Sequence, residues 1–80
     1  MRIDKFLKVS RIIKRRTVAN EACDSSYVAV NGLPAKASYN VKIGDVITVS
    51  FGNRTTSFRV LSLNEHTTKA EASSMYEITE

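Results

Sequence analysis

The chain has 80 residues, of which 12 are Lys or Arg and 8 are Asp or Glu, so its net charge is +4. Hydrophobic residues make up 42% and charged residues 25%, a balance that predicts one folded domain rather than a disordered tail. A chain this short buries roughly 60% of its unfolded surface, which leaves little room for a deep cofactor pocket. It has no apolar run of about 18 residues and only one cysteine, Cys23, which excludes a membrane span and an internal disulfide. We therefore expect a cytoplasmic domain with no membrane contact and no cofactor.

The positive charge is concentrated at one end of the chain. Residues 1–16 contain seven cations against Asp4 alone, a net charge of +6, whereas residues 61–80 have a net charge of −3. A run of cations is usually a solvated face mixed with counter-charges, but the counter-charges are missing from this stretch. The asymmetry favours a surface that binds an anionic partner.

The first predicted element is an amphipathic helix over residues 2–10. Its packing face has the i, i+3, i+4 spacing of a helix and consists of Ile3, Phe6, Leu7 and Ser10. Arg2, Lys5 and Lys8 are spaced three residues apart along the opposite side. Because like charges this close repel each other within a helix, the strip predicts an anion outside the protein.

A second helix is predicted over residues 17–24, with Thr17 as its N-cap. Its predicted packing side consists of Val18, Ala19, Ala22 and Cys23. Lys14, Arg15 and Arg16 come directly before it, although acidic residues are the stabilising choice at a helix amino end. Cations together with free N–H groups suit a phosphate, so these three residues are the sharpest indication of function in the chain.

From residue 27 the pattern changes to strands. Residues 27–30 alternate and end at the Asn31-Gly32 turn, with Pro34 beyond it, and Lys36 is expected at the same edge. Residues 41–43 lead to a second turn at Gly44-Asp45, and a strand follows over 46–51. Gly52-Asn53 joins that strand in a hairpin to another over 55–63. In the tail, the candidates for anchoring to the body are Met75, Tyr76 and Ile78.

Residues that carry chemistry in enzymes are scarce. The chain has no Gly-rich phosphate loop, no nucleophile with a base and no paired catalytic carboxylates, so we do not expect an enzyme. Cys23 has the spacing of a packed core residue, and His66 stands alone, which argues against a metal site. Asp4 suits the helix dipole and is placed to orient neighbouring cations, with contact to RNA or to a partner as the minority alternative.

For three further residues, a structural role is the preferred interpretation. Asn31 fits the positive φ of its turn. Tyr27 and Tyr39 are assigned to packing, with stacking on RNA bases as the less common alternative.

Taken together, these motifs resemble the RNA-binding domain named after small-subunit ribosomal protein four, the S-four domain. The basic helix is followed by V-x-V-N-G at residues 28–32, Lys36, and G-D-x-I at residues 44–47. The resemblance implies an α+β fold with the αL-type RNA-binding motif: two short N-terminal helices packed on a small, mostly antiparallel β-sheet, with a C-terminal tail. We expect the S-four domain over residues 1–64 and an acidic extension over residues 65–80.

Among free-standing S-four proteins the chain resembles the RqcP group, relatives of bacterial heat-shock protein fifteen. The start M-R-I-D-K-F-L-K-V-S-R-I-I-K-R-R-T and the ending with Ala72 and Met75-Tyr76-Glu77 carry this resemblance. It implies a monomeric factor of ribosome-associated quality control that binds large ribosomal subunit rRNA and a stranded peptidyl-tRNA. It also implies action beside an RqcH-like factor in the C-terminal alanine tailing of stalled nascent chains.

The resemblance assigns RNA contact to particular positions. The basic positions of the family fall on Arg2, Lys5, Arg11, Arg15, Arg16 and Lys36, and Lys8 and Lys14 extend the same surface. The chain departs from the family at Ser26, where Gly is usual, and at Tyr27, where a basic residue is usual. If Ser26 requires a left-handed backbone, the missing glycine costs roughly 1 kcal/mol.

Three alternatives stay open at this point. The first is recycling of blocked large subunits, as in heat-shock protein fifteen. The second is a DNA-binding regulator that uses residues 3–24 as a helix-turn-helix, although its recognition helix would offer acidic residues to the groove. The third is a fragment of an RNA-modifying enzyme, since S-four domains often precede pseudouridine synthase or methyltransferase domains.

Overall fold

The computed structural model describes residues 1–79, which fold into helices packed on one antiparallel sheet. The helices are α1 (Ile3–Val9), α2 (Arg16–Asp24) and α3 (Lys69–Ala72). The strands are β1 (Val28–Val30), β2 (Leu33–Pro34), β3 (Val46–Phe51), β4 (Arg54–Val60) and β5 (Tyr76–Ile78), in the order β2-β1-β3-β4-β5. The predicted α+β class, with two short N-terminal helices on an antiparallel sheet, is confirmed.

Helix α1 is one residue shorter at each end than the predicted span 2–10. Its packing face is the predicted one, since Ile3, Phe6 and Leu7 are fully buried and Ser10 is buried beside them. The Ser10 hydroxyl donates to the Leu7 carbonyl at 3.4 Å, which satisfies this buried polar group within the helix end. On the opposite side of α1, Lys8 is exposed and Lys5 is partly exposed.

The amino end of α1 is tied to the loop that precedes β3. Arg2 and Asn40 form a short antiparallel bridge, and the Ile3 N–H donates to the Tyr39 carbonyl at 2.7 Å. The Val41 N–H donates in turn to the Met1 carbonyl at 2.9 Å. These bonds fix the direction in which α1 leaves the sheet.

Helix α2 begins one residue earlier than predicted. Arg15 is extended (φ −116°, ψ 130°) and occupies the N-cap position, so the chain is already helical at Arg16. The prediction that Thr17 caps the helix is wrong, because Thr17 lies beyond the position from which a hydroxyl reaches the free N–H groups, and no side chain caps this end. The buried face consists of Ala19, Ala22 and Cys23. Val18 is not part of it, since its side chain lies on the helix flank and is 40% exposed.

The sheet contains the predicted hairpin at Gly52-Asn53, and the predicted turn at Asn31-Gly32 forms a second hairpin, whose short strand β2 was not predicted. β1 pairs with β2 across the Asn31-Gly32 turn, and β3 pairs with β4 across Gly52-Asn53. Its buried face, which packs in the core with the helices, consists of Val28, Val30, Ile47, Val49, Phe58 and Val60. Strand β4 spans Arg54–Val60 rather than the predicted 55–63. Just beyond its end, the N–H groups of Leu61 and Ser62 both donate to the Met75 carbonyl, at 2.8 and 3.2 Å.

The two predicted turns are joined by the side chains of Asn31 and Asp45. Asn31 has φ +52°, as predicted for a turn; its amide donates to Asp45 at 3.1 Å, and its oxygen accepts from the Val46 N–H at 3.0 Å. The Tyr39 hydroxyl and the Lys42 N–H donate to the second Asp45 oxygen at 3.1 and 2.9 Å. Burial alone raises the pKa of Asp45, but these hydrogen bonds outweigh it and hold the pKa below 3.8. The V-x-V-N-G and G-D-x-I motifs thus form one structural unit.

The C-terminal segment returns to the sheet through a short helix. Thr68 caps α3 in a capping box with Glu71, and a 3-10 turn over Ser73–Met75 leads into β5. Strand β5 pairs antiparallel with β4, so it forms the edge of the sheet. The division of the chain into residues 1–64 and 65–80 stays a prediction.

Two of the three predicted tail anchors are confirmed. Met75 is buried, and Tyr76 packs edge-on against Phe58 with the ring centroids 5.2 Å apart. Ile78 is not an anchor, because its side chain is 63% exposed on the edge strand.

Helix α2 ends in a Schellman motif that requires a left-handed residue at Ser26, whose φ is +65°. The Ser26 N–H donates to the Cys23 carbonyl at 3.1 Å, and the Tyr27 N–H donates to the Ala22 carbonyl at 2.9 Å. Ser26 therefore has the left-handed backbone under which the missing glycine carries a cost.

Replacing Ser26 by Gly is expected to raise the free energy of unfolding by about 1 kcal/mol, because glycine adopts positive φ without a steric penalty. The matched control is Ser25→Gly, whose backbone has φ −97° and gains nothing from glycine. We expect this control to lose about 0.5 kcal/mol through unfolded-state entropy. Urea denaturation measures both changes, and equal effects at the two serines would contradict the assignment of strain to Ser26.

Candidate nucleic-acid interface

A charged cluster at the start of α1 is built around Asp4, whose side chain is only 3% exposed. Its carboxylate lies 3.2 Å from Nε of Arg2 and 3.4 Å from Nη2 of Arg16, and it accepts a further hydrogen bond from the Asn20 amide at 3.3 Å. A second Arg2 nitrogen contacts the other Asp4 oxygen at 3.4 Å. We call Arg2, Asp4, Arg16 and Asn20 the Asp4 cluster. Because both arginine side chains are about half exposed, the buried carboxylate orients them while leaving N–H donors for an external ligand.

The Asp4 carboxylate is charged at neutral pH. Burial alone raises the pKa of Asp4, but hydrogen bonds from Asn20 and Arg16, the Arg16 charge and the Lys5 N–H outweigh it and hold the pKa below 3.8. Asp4 also lies in the first turn of α1, where a negative charge stabilises the helix. Both structural roles expected from the sequence are therefore present.

Three predicted cations meet at a cavity beyond the carboxyl end of α1. The cavity has a volume of about 240 Å³ and is lined by Lys8, Val9, Arg11, Lys14, Glu65 and Thr67. We call it the basic cavity. Among residues 1–79, its three cations form no ion pair. The geometry thus gathers positive charge at residues 8, 11 and 14, and the Glu65 carboxylate in the same lining forms an ion pair with none of these three cations.

The turn after α1 brings these cations together through strain at Arg11. Arg11 has φ +64°, a conformation that non-glycine residues rarely adopt. Its N–H donates to the Lys8 carbonyl at 3.1 Å, and the Ile13 N–H donates to the Leu7 carbonyl at 3.0 Å. Because Ile13 is buried, it anchors the turn to the core and holds the Arg11 backbone in place.

Lys5 is paired with a residue from the acidic end of the chain. Its ammonium contacts the Glu65 carboxylate, and both side chains are partly exposed. The hydrogen bond and charge of Lys5 lower the pKa of Glu65 below 4.5. The basic stretch therefore has a second counter-charge besides Asp4, and the loop between β4 and α3 supplies it.

Arg15 and Lys36 are exposed and form no ion pair among residues 1–79. Arg15 sits at the uncapped amino end of α2. Lys36 precedes Ala37, whose carbonyl accepts from the Asp4 N–H at 3.4 Å, so Lys36 lies near the Asp4 cluster. Of the eight predicted cations, Arg2 and Arg16 belong to the Asp4 cluster, and Lys36 lies near it. Lys8, Arg11 and Lys14 line the basic cavity, and Lys5 lies beside it. Arg15 lies between Lys14 and Arg16 in the sequence. Their contact with RNA stays a prediction.

The remaining candidate residues have structural surroundings. Cys23 is buried, and burial together with the charges of Asp4 and Asp24 raises its pKa to about 11, so its thiol is a core side chain as predicted.

Within residues 1–79, no group of three His, Cys, Asp or Glu side chains is placed to hold a metal ion. No helix in that part of the chain is long and apolar enough to cross a membrane.

Sequence reasoning missed three residues that shape the site. Asn20 donates to Asp4 from one turn inside α2, and only its spacing from Arg16 on the same helix face hinted at a shared partner. Glu65 and Thr67 reach the basic cavity from a loop about 50 residues away in sequence, and no local pattern indicates that contact.

Comparison with known proteins agrees with the motifs and the fold. The S4 domain, the S-four domain of the motifs, matches residues 1–47. A Streptococcus pneumoniae protein named RQC P-site tRNA stabilizing factor is 50% identical, over 98% of this chain and 89% of its own length. The Bacillus subtilis protein of the same name is 53% identical, over 98% of this chain and 91% of its own length.

A solved structure extends the comparison to the whole fold. The trimeric structure of Vibrio cholerae heat shock protein 15 matches with a TM-score of 0.90 at 30% identity, over 99% of this chain and 81% of that chain. The match therefore includes the C-terminal segment, which lies outside the residues matched by the S4 domain. The chain belongs to the S4 domain family and, within it, to the group of RQC P-site tRNA stabilizing factors.

Proposed function

We propose that this protein binds the rRNA of the large ribosomal subunit together with the tRNA in its P site, through the cations along α1 and the turn that follows. The name of its relatives, RQC P-site tRNA stabilizing factor, supports this proposal. The observation that carries it is the basic cavity, where three cations meet and none forms an ion pair among residues 1–79. Such a surface is stabilised when phosphates neutralise it.

The proposed contacts are to phosphates rather than to bases. Phosphate contacts position a protein on RNA without reading its sequence, and RNA helices are recognised mainly by shape and backbone. The Asp4 cluster presents two guanidiniums, which suit phosphate oxygens, and the basic cavity presents three further cations. The protein's contribution is binding rather than chemistry.

In ribosome-associated quality control, this binding would hold a stranded peptidyl-tRNA on a large subunit in the cytoplasm while an RqcH-like factor adds C-terminal alanine residues. The resemblance to the RqcP group supports this role. Deletion of the gene tests it directly: we expect stalled nascent chains to lose their alanine tails. Intact tails would favour the recycling of blocked large subunits instead, the role of the heat-shock protein fifteen type.

The side chains of α2 argue against the DNA-binding alternative. Asn20 is engaged by Asp4, and the Asp24 carboxylate accepts from the Ala37 N–H at 3.2 Å, so neither is free to contact a base. Glu21 remains exposed, but its negative charge would face DNA phosphates. A gel-shift comparison of duplex DNA with large ribosomal subunits separates the two functions.

Arg15 offers a sharp test of the interface, because Arg16 is engaged by Asp4 whereas Arg15 forms no ion pair among residues 1–79. Arg15→Ala is expected to weaken binding to purified large subunits about fivefold to tenfold, since one charged contact of about 1 kcal/mol is lost. We expect the free energy of unfolding to stay unchanged. The matched control is Arg59→Ala, which removes the same charge from strand β4. In the wild-type protein, Arg59 pairs with Glu77 at 2.9 Å. Equal losses for the two variants would mean that net charge, not position, sets the affinity.

A further inference from the structure

The loop between β4 and α3 contributes to the predicted RNA interface, although it lies outside residues 1–47 that match the S4 domain. Glu65 and Thr67 from this loop line the basic cavity together with Lys8, Arg11 and Lys14. A carboxylate among cations that are expected to bind phosphate requires an explanation, because it competes for the same donors.

The loop is held firmly enough to keep Glu65 at this place. The Thr67 hydroxyl donates to the Asn64 carbonyl at 2.9 Å and lies 3.3 Å from the Met75 sulfur, and the His66 N–H donates to the Asn64 side chain at 3.0 Å. Met75 is buried in the core. The position of Glu65 is therefore set by the fold of the C-terminal segment rather than by a free tail.

Glu65 neutralises only one of the nearby cations. Its carboxylate contacts Lys5, one turn before Lys8 on the same face of α1. The three cations of the basic cavity itself form no ion pair among residues 1–79. The ion pair is partly exposed on both sides, so it can open at small cost when a stronger anion arrives. A dianionic or backbone phosphate contacting Lys5 and Lys8 together would have to displace it.

We propose that Glu65 occupies the Lys5 end of a phosphate-binding site in the free protein and is displaced by an RNA backbone phosphate when the protein binds the large subunit. This inference rests on the proposed function. Glu65 thus lowers affinity for every RNA by the same internal competition. Only RNA that fills the rest of the basic cavity at Lys8, Arg11 and Lys14 compensates for the lost ion pair. The residue therefore sets how strongly an RNA must contact the rest of the interface in order to bind, and it does not change the ratio of affinities between two RNAs that both displace it.

The test measures binding to purified large ribosomal subunits at 0.15 M salt. Glu65→Gln is expected to raise affinity about threefold to fivefold, because the competing charge is gone while the side chain keeps its size. The matched control is Glu77→Gln, which makes the same change in net charge at the ion pair with Arg59. We expect less than a twofold change for this control. Equal gains at the two positions, or a loss for Glu65→Gln, would overturn the proposal.

A double-mutant cycle tests whether Glu65 acts through Lys5. The gain from Glu65→Gln should shrink in a Lys5→Ala background, since no ion pair remains to be broken. An undiminished gain in that background would contradict the displacement. If the wild-type protein fails to bind large subunits at any salt concentration, the proposed function itself fails; if it binds with a steep salt dependence but the Glu65 variants behave like their controls, only the role of Glu65 fails.

Discussion

Asp4→Asn is expected to lower the free energy of unfolding by about 2 kcal/mol and to weaken binding to the large ribosomal subunit. The Asp4 side chain is 3% exposed and accepts from Arg2, Arg16 and Asn20. An amide in its place loses the negative charge and one acceptor oxygen, so both arginines lose their orienting partner. The loss stays below that of a fully buried ion pair because the arginine side chains are about half exposed. Urea denaturation and subunit binding measure the two effects.

The sign of the binding change separates positioning from net charge. Asp4→Asn makes the protein more positive, which by itself favours an anionic partner. We nevertheless expect weaker binding, because Arg2 and Arg16 are no longer held. Glu21→Gln is the matched control, since it makes the same charge change at an exposed position of α2. Tighter binding by Asp4→Asn, equal to that of the control, would contradict the positioning role of Asp4.

The same carboxylate predicts a pH dependence of stability. Because the pKa of Asp4 in the folded protein lies below 3.8, its contribution is fully present above about pH 4 and is lost as the pH falls through the folded-state value. The difference in unfolding free energy between wild type and Asp4→Asn should therefore be largest at neutral pH and shrink as the pH falls below 3.8 and through the folded-state value. A difference that stays constant over this range would show that the charge of Asp4 is not what stabilises the fold.

Replacing Lys8, Arg11 and Lys14 together by Ala is expected to reduce affinity for the large subunit on the order of 100-fold at 0.15 M salt, since three charged contacts of about 1 kcal/mol each are lost. The fold should persist, because these side chains are exposed and form no ion pair among residues 1–79. Alanine at residue 11 retains the strained φ of +64° rather than relieving it, so stability changes little. Circular dichroism confirms folding before affinity is compared.

The control for this variant is a second triple substitution with the same change in net charge. Lys42, Arg59 and Lys69 are exposed and lie outside the predicted interface. Their joint replacement by Ala is expected to reduce affinity less than tenfold through long-range electrostatics alone. Comparable losses for the two triple variants would place the interface elsewhere or show that it has no fixed position.

The fold was predictable wherever local chemistry decides the structure. Three local patterns are each sufficient to predict an element: the apolar spacing of α1, the Asn31-Gly32 turn and the alternation of β3. The start of α2 was not predictable in this way. Threonine is a common N-cap residue, so Thr17 was predicted as the cap, but Arg15 has the extended backbone of the N-cap and the helix begins one residue earlier. The end of β4 was also missed, since the strand pairs with the distant segment β5 and no local pattern marks where that pairing ends.

The candidate site was predictable in its charges but not in its internal partners. Charge runs are visible along the sequence, so the cations from Arg2 to Arg16 stand out. The pairing of Asp4 with Arg16 and of Lys5 with Glu65 arises from tertiary packing across 12 and 60 residues, a separation that no periodicity encodes. Those pairings decide which cations form ion pairs within the protein and which do not. They therefore decide which substitutions can test the interface without disturbing the fold.

The most direct test of the interface is the salt dependence of binding between the wild-type protein and purified large ribosomal subunits. Each phosphate neutralised by the protein should make log affinity fall by about 0.7–0.9 per log unit of salt. With most of the eight predicted cations engaged, we expect affinity to fall roughly 1,000-fold between 50 and 200 mM salt. Affinity that stays constant over this range would contradict phosphate binding by the basic surface.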